Sequence, residues 1–266
     1  ILKSPPTAQT GLSIWGKGMK ESERPPAYWL EFLAWQADQT QRTRRYLARR
    51  AGLREGLVLD VACGAGHVLA DLAAGRPRLR CVGLDSDPVI LAEVDPGISR
   101  VVGRAEALPF SGGCATAVVF HLALMWVRPA EALTEARRVL KKGGHLLLAA
   151  EPDYAGMLCH PEPGGSRTMA ERLAQGIRQA GGDPFIGRRL PALVERAGFE
   201  TLEYGLASRP WRYGPEDFGG LEKVFSFRSK IHPRSGPLWG KNARRAAGHG
   251  FYTEFLPVFY LLAVNR

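Results

Sequence analysis

The stretch that most constrains this chain is Val58-Leu59-Asp60-Val61-Ala62-Cys63-Gly64-Ala65-Gly66-His67. An apolar run from Leu57 to Val61 breaks into a loop of small residues. The loop opens into Val68-Leu69-Ala70-Asp71-Leu72-Ala73, which has helical spacing. The pattern predicts a strand, a tight turn and a helix N-terminus. Gly64 and Gly66 let the backbone approach a ligand where a Cβ would collide. The helix start adds unpaired N–H groups aimed at the same space. A ligand with polar groups is therefore expected on this turn.

The residues around the turn narrow the ligand. A dinucleotide loop reads G-x-G-x-x-G, with the third glycine bringing helix and strand together; here that position is Leu69. A phosphate-cradling P-loop needs Lys-Ser/Thr after a longer loop, and none is present. Instead Asp60 stands at the strand end before the glycines, where a carboxylate repels a pyrophosphate and suits a cation. Asp85 ends the next apolar run, Leu79 to Leu84, placed to accept hydrogen bonds from ribose hydroxyls. A ligand with a ribose, no phosphate and positive charge near the glycines describes S-adenosylmethionine (SAM).

Four segments carry a resemblance. Val58 to His67 matches the glycine-loop motif of the class I SAM-dependent methyltransferases of small-molecule type. Gly83 to Pro88 matches their second motif, and Gly103-Arg104-Ala105-Glu106-Ala107-Leu108-Pro109-Phe110 their adenine-side motif. Val139 to Gly144, followed by Leu146-Leu147-Leu148, matches the turn into their fifth strand. Order and spacing agree over roughly residues 45 to 205. The resemblance implies a Rossmann-like, doubly wound seven-stranded α/β sheet of order 3-2-1-4-5-7-6, last strand antiparallel, with helices on both faces. It implies SAM as cofactor and S-adenosylhomocysteine as product. The implied cofactor-binding residues are Asp60, Ala62, Cys63, Gly64, Gly66, Asp85, Ser86, Ala105, Glu106 and His121.

Along the chain, residues 1–27 are polar and proline-rich and are expected to form a flexible arm. Residues 28–266 are expected to form one methyltransferase domain, with 208–250 an insertion that shapes the substrate pocket. Tyr28 to Arg50 has helical periodicity, which places Tyr28, Trp29 and Gln36 where helices of the resembling family cover the cofactor. Arg42, Arg44, Arg45, Arg49 and Arg50 read as a solvated basic face. Further strands are expected at Arg100–Gly103, Ala117–Phe120, His145–Ala150, Phe199–Ala207 and Phe255–Val264. Helices are expected from Asp87-Pro88, from about Pro129 to Leu140, over Met169–Ala180 and over Leu190–Ala197. Strands alternating with helices imply a parallel sheet with ligands at the strands' carboxyl ends. Asp60, Asp85, Ala105, His121 and Glu151 fall there.

Several positions depart from the family's pattern. Ala62 replaces the first loop glycine, and His67 stands where a small or hydroxyl residue is common. Arg104 replaces a frequent Asp that accepts from the adenine amino group; a guanidinium has no acceptor, which leaves Glu106 for that bond. His121, at the fourth strand's end, is the candidate general base, although in the family that position often contacts the methionine part of SAM. Glu151, Asp153 and Tyr154 share its rim.

The net charge of +10 comes mostly from arginine and reads as compositional bias rather than as a nucleic-acid footprint. Cys63, Cys81, Cys114 and Cys159 form no C-x-x-C pair and fit reduced thiols in a cytoplasmic protein, with no metal. No apolar run is long enough to span a membrane. The expected activity is methyl transfer to O, N or C of a small apolar or aromatic acceptor. The apolar preference is drawn from Leu124–Val127 and Trp211–Phe227. The alternatives are an RNA or protein methyltransferase, with nucleic acid as the less favoured partner, and a non-catalytic SAM-fold protein. Acceptor identity and oligomeric state are open in the sequence.

Overall fold

The structure, a computed structural model, describes residues 27–161, 166–207, 211–213, 236–248, 250 and 252–266. The arm expected over residues 1–27 lies, up to residue 26, outside the described residues, as do 214–235 of the expected insertion.

Helix α1 spans Ala27–Arg50 and leads into strand β1, Glu55–Val61. There follow α2 (His67–Ala73), β2 (Arg78–Asp85), α3 (Pro88–Leu91), β3 (Ser99–Val102), β4 (Ala115–His121), α4 (Pro129–Val139) and β5 (Leu140–Pro152). The second half comprises β6 (Leu158–His160), α5 (Ser166–Gln179), α6 (Ile186–Arg196), β7 (Glu200–Leu206), β8 (Trp211–Tyr213), α7 (Gly236–Gly248), β9 (Tyr252–Phe255) and β10 (Val258–Val264). Seven strands form one sheet in the order β3-β2-β1-β4-β5-β10-β7. Counting only these strands along the chain gives 3-2-1-4-5-7-6, and β10 runs antiparallel to both neighbours. This is the order the resemblance implies.

The sheet is covered on both faces, so its strands read as continuous apolar runs rather than as alternation. Leu59, Val61, Val118 and Phe120 pack with Leu133 of α4 and Leu190 of α6. Val58, Ala117 and Val119 turn to the opposite face, against Leu47 of α1 and Leu72 of α2. Each fully buried Leu or Phe stabilises the fold by about 1.5–3 kcal/mol.

Of the boundaries that differ from the sequence expectation, three have a definite physical cause. Strand β5 begins at Leu140, because the Gly143-Gly144 turn stays in the sheet as an irregularity: Gly143 N–H donates to Asn265 O (2.7 Å) and Asn265 N–H to Gly144 O (2.9 Å). The expected strand Phe255–Val264 is two strands. Pro257 lacks an N–H and breaks the run, and its carbonyl accepts from Asp153 N–H at 2.8 Å. Helix α6 starts before Gly187, not after it. A Cβ at Gly187 would stand 2.6 Å from Glu151 O and 2.7 Å from Phe259, so glycine is required for contact and not for chain reversal. Pro191, inside α6, has no N–H for Gly187 O, and the Tyr204 hydroxyl donates there instead at 3.1 Å.

The second, three-stranded antiparallel sheet, β6-β9-β8, lies beyond the carboxyl end of β5. Met157, Leu173, Ala243, Ala247 and Tyr252 give it a small core of its own, shared with α5 and α7. Strand β8 and helix α7 both come from the stretch expected as an insertion.

Candidate active site

The glycine loop is built from left-handed residues. Ala62, Gly64 and Gly66 have φ of 58°, 53° and 78°. At Ala62 the methyl group carries a strain of about 1–2 kcal/mol that glycine would not. The loop is tied to β2, since Cys63 N–H donates to Leu84 O (3.0 Å). It also lies directly on the β2 backbone: a Cβ at Gly83 would stand 2.7 Å from Cys63 Sγ and 2.8 Å from Leu69.

Asp85, at the tip of β2, clasps two backbone turns. Its Oδ2 accepts from Gly64 N–H at 2.9 Å and its Oδ1 from Asp87 N–H at 3.0 Å. Each oxygen keeps a lone pair for another donor. Ser86 beside it is exposed. Burial raises the Asp85 pKa, against the pull of these amides. Asp60 is 1% exposed and its Oδ2 has no partner. Desolvation pushes its pKa up to about 8; Arg44 pulls it down and Asp85 pushes it up further. An unpaired acid sealed beneath a glycine loop is costly unless a positive group arrives to share it.

Beneath the loop lies a polar cluster from three elements. Arg44 of α1 is 2% exposed, not part of a solvated face. It donates from NH1 to Thr40 Oγ1 at 2.7 Å and pairs from NH2 with Asp71 of α2 at 3.4 Å. Arg45 also pairs with Asp71, at 2.9 Å. Thr40 Oγ1 meets His121 Nε2, from the end of β4, at 2.7 Å. His67, first residue of α2, leaves its Nε2 buried without a partner. Burial first, then Arg44 and His67, drive the His121 pKa down to about 3. No place in the site for Thr40, Arg44 or Asp71 follows from the sequence motifs. A signal was present: residues 37, 40, 44, 47, 48 and 51 follow helical spacing, and all six are buried.

On the adenine side, Ala105 is buried, 5% exposed. Glu106 is already engaged: Oε1 accepts from Arg128 N–H (3.1 Å) and Oε2 pairs with Arg104 (3.4 Å). The Arg104 departure therefore has a local partner, and Glu106 is held by two arginines rather than left for a ligand alone. Opposite, Glu151 is fully buried. Its Oε1 accepts from Ala123 N–H (3.0 Å) and Leu124 N–H (3.2 Å), while Oε2 has no partner. Burial raises its pKa to about 7. Asp153 is paired with Arg188, 2.9 Å from Oδ1 to NH2. Leu124 and Met125, read as part of an acceptor surface, belong to the main core. Trp126 packs against Gly182, whose added Cβ would meet its ring at 2.9 Å. Trp29, Phe32 and Trp35 form a ladder along α1, with ring centroids 5.8 and 5.7 Å apart. Leu33 of that helix reaches to 3.6 Å from where a Gly64 Cβ would stand, so α1 lies over the glycine loop. The Tyr28 side chain lies outside the described residues, and the Gln36 carbonyl accepts from Thr40 at 2.9 Å.

Comparison with known proteins places this geometry. Residues 59–148 match a family model described as a methyltransferase domain. A demethylmenaquinone methyltransferase of Renibacterium salmoninarum is 32% identical over 183 residues, covering 67% of this chain and 68% of that protein. The chain belongs to the class I SAM-dependent methyltransferases. This family uses SAM as cofactor. A malonyl-[acyl-carrier protein] O-methyltransferase of Dechloromonas aromatica is 37% identical to this chain over 93 residues, 35% of this chain and 36% of that protein. The chain spans well under half the length of the first curated relatives it matches, 42% of one and 36% of another. Among solved structures, the geranyl diphosphate C-methyltransferase of Streptomyces coelicolor A3(2) superposes with a TM-score of 0.53 at 14% identity, over 84% of this chain and 78% of that one. The [4+2]-cyclase SpnF superposes with 0.57 at 22% identity, over 84% of this chain and 80% of that one. These two likenesses are of fold alone, and the second shows that the fold carries more than one chemistry. Among the described residues no helix is long and apolar enough to cross a membrane, and no group of three or more His, Cys, Asp or Glu could hold a metal ion.

Proposed function

We propose that the protein transfers a methyl group from SAM to an oxygen, nitrogen or carbon of a small apolar or aromatic acceptor. One observation carries this reading. The unpaired, buried Asp60 carboxyl and the two-handed Asp85 flank a loop of small residues in which Ala62, Gly64 and Gly66 are left-handed. That donor set fits SAM: an acid for a cationic end, an acid for a ribose diol, and bare backbone between. In the proposed arrangement Asp60 with the amides of Ala62, Cys63, Gly64 and Gly66 holds the amino-acid part. Asp85 and Ser86 hold the ribose, and Ala105 with Glu106 borders the adenine.

When bound, the cofactor supplies an electrophilic methyl group on a sulfonium. The residues of the chain supply placement and exclusion of water. Helix α1 closes one side of the site. The small sheet β6-β9-β8, with α5 and α7, stands at the carboxyl ends of the strands and is proposed to wall the acceptor pocket. With its pKa driven to about 3, His121 stays neutral near neutral pH and is a poor proton acceptor there. The reading therefore assigns it to positioning, and an acceptor that must lose a proton would rely on another group. Glu151, held near 7, is the acid on the rim suited to that.

The test is calorimetric titration of the native chain and Asp85→Ala with SAM and S-adenosylhomocysteine, followed by a methyl-transfer screen over small aromatic, quinol and amine acceptors. Micromolar binding, lost in the variant, with turnover on a small acceptor supports the reading. Absence of binding by the native chain sinks it in favour of a non-catalytic role, and turnover only on RNA or protein sinks the small-molecule assignment.

A further inference from the structure

The Thr40 hydroxyl has four neighbours and one proton. Gln36 O at 2.9 Å and Ala37 O at 3.3 Å can only accept. Arg44 NH1 at 2.7 Å can only donate. His121 Nε2 at 2.7 Å can do either, according to its tautomer. A hydroxyl offers one donor and two acceptor positions. All contacts are satisfied in one arrangement: the hydroxyl donates back to the α1 carbonyls and accepts from both Arg44 and His121. The imidazole proton then sits on Nε2, which leaves Nδ1 bare. Were the hydroxyl instead to donate to Nε2, the Gln36 carbonyl would face a lone pair at hydrogen-bonding distance.

The surrounding charges agree. Facing the ring and its partners are Arg44 from α1, Asp60 from β1, and His67 and Asp71 from α2. Arg44 is a fixed cation that opposes an imidazolium, as does His67, and desolvation works the same way. Among the described residues, Nδ1 makes no hydrogen bond, while the residue stays half-buried at the end of β4 rather than sealed.

We propose that Thr40 and Arg44 are positioning residues that lock His121 as a neutral imidazole protonated on Nε2, presenting bare Nδ1 as an acceptor for an ammonium donor. Resting on the SAM reading above, the ammonium is that of the cofactor's amino-acid end. A helix that covers the site thereby sets the donor–acceptor character of a residue on the sheet. Lysine at 44 would not reproduce it, because one guanidinium reaches both Thr40 and Asp71 with two separate nitrogens.

The experiment is long-range 1H–15N correlation NMR of histidine-labelled, cofactor-free protein between pH 5 and 8, with His121 assigned from the spectrum of His121→Gln. The native protein is expected to show the Nε2–H pattern, unchanged across the range. Thr40→Val should lose that single-tautomer pattern, and Thr40→Ser should restore it. S-adenosylhomocysteine affinity, measured by calorimetry, should fall about tenfold in Thr40→Val, the size of one hydrogen bond to a charged group, and stay within about twofold in Thr40→Ser. A native spectrum with the proton on Nδ1, a mixed pattern, or titration inside the range overturns the lock, with His121→Gln serving only to assign the resonance. The same holds if Thr40→Val keeps the native pattern. Failure of the native chain to bind S-adenosylhomocysteine overturns the cofactor reading separately, because the tautomer is read without ligand.

Discussion

Replacing Gly187 by alanine separates two effects of opposite sign. Gly187 lies in the first turn of α6, with φ outside the left-handed region, so alanine is permitted by the backbone. Helix propensity alone predicts that Gly187→Ala stabilises by about 1 kcal/mol. The packing predicts the reverse. The new methyl group would lie 2.6 Å from Glu151 O, 2.7 Å from Phe259 Cδ2 and 3.1 Å from the Pro152 carbonyl carbon. Two of these three atoms are backbone at the end of central strand β5, so no side-chain rotation removes them. Overpacking of this kind costs about 1–3 kcal/mol, and backbone neighbours put this site at the upper end. The net expectation is a loss of about 2 kcal/mol, a fall of roughly 0.7–1 M in the urea midpoint at an m-value of about 2–3 kcal/mol/M. The assay is equilibrium urea unfolding followed by circular dichroism and by tryptophan fluorescence. A midpoint equal to or above the native one would refute the reasoning, since propensity would then have outweighed contact.

Tyr204→Phe should destabilise by about 1 kcal/mol, because Gly187 O loses its donor. The same change in a Pro191→Ala background should cost close to nothing, the restored amide having taken over that carbonyl; equal costs in both backgrounds would refute the compensation. Glu151 has its pKa raised from 4.5 to about 7, so its stabilising share is complete below about pH 4.5 and is lost as pH rises through 7. Glu151→Gln keeps an oxygen for the Ala123 and Leu124 amides and should gain on the native protein between pH 5 and 8, by up to a few kcal/mol in paired unfolding curves. Asp60, raised to about 8 by burial, is mostly protonated at neutral pH, and a cationic ligand favours its ionised form. SAM affinity should therefore climb as pH rises from about 6 to 7.5, below the range in which an α-amino group loses its proton, and Asp60→Asn should flatten the slope in calorimetric titrations.

Alternation of apolar runs with helical stretches carries a parallel sheet with right-handed crossovers, because strands buried on both faces must be apolar throughout and their crossovers must return on the same hand, while the strand order follows from the family resemblance. The Gly64–Gly66 loop and the acids Asp60 and Asp85 were legible for a related reason. They lie close together along one strand–turn–helix unit and the next strand's tip, so little tertiary information is needed to bring them together. The last strand failed where one residue, Pro257, divided an apolar run between two sheets. Gly187 also misled, since a glycine demanded by contact looks the same in sequence as one demanded by a turn.

What the sequence by itself determined is therefore the local frame: strands alternating with helices, the glycine loop and the two acids beside it, with the sheet order coming from the family resemblance. What only the tertiary structure decided is which polar groups that frame leaves without water. Arg44 sits among five arginines between residues 42 and 50, and nothing local distinguishes it from its exposed neighbours except helical phase. Packing α1 against α2 seals Arg44 with Asp71 and Thr40 and brings Thr40, 81 positions away in the chain, onto His121. Elsewhere the folded chain engages Glu106 with Arg104 and the Arg128 amide and buries Glu151. Charge and hydrogen-bond character at these residues follow from desolvation and from partners distant in sequence, and both exist only once the chain has folded.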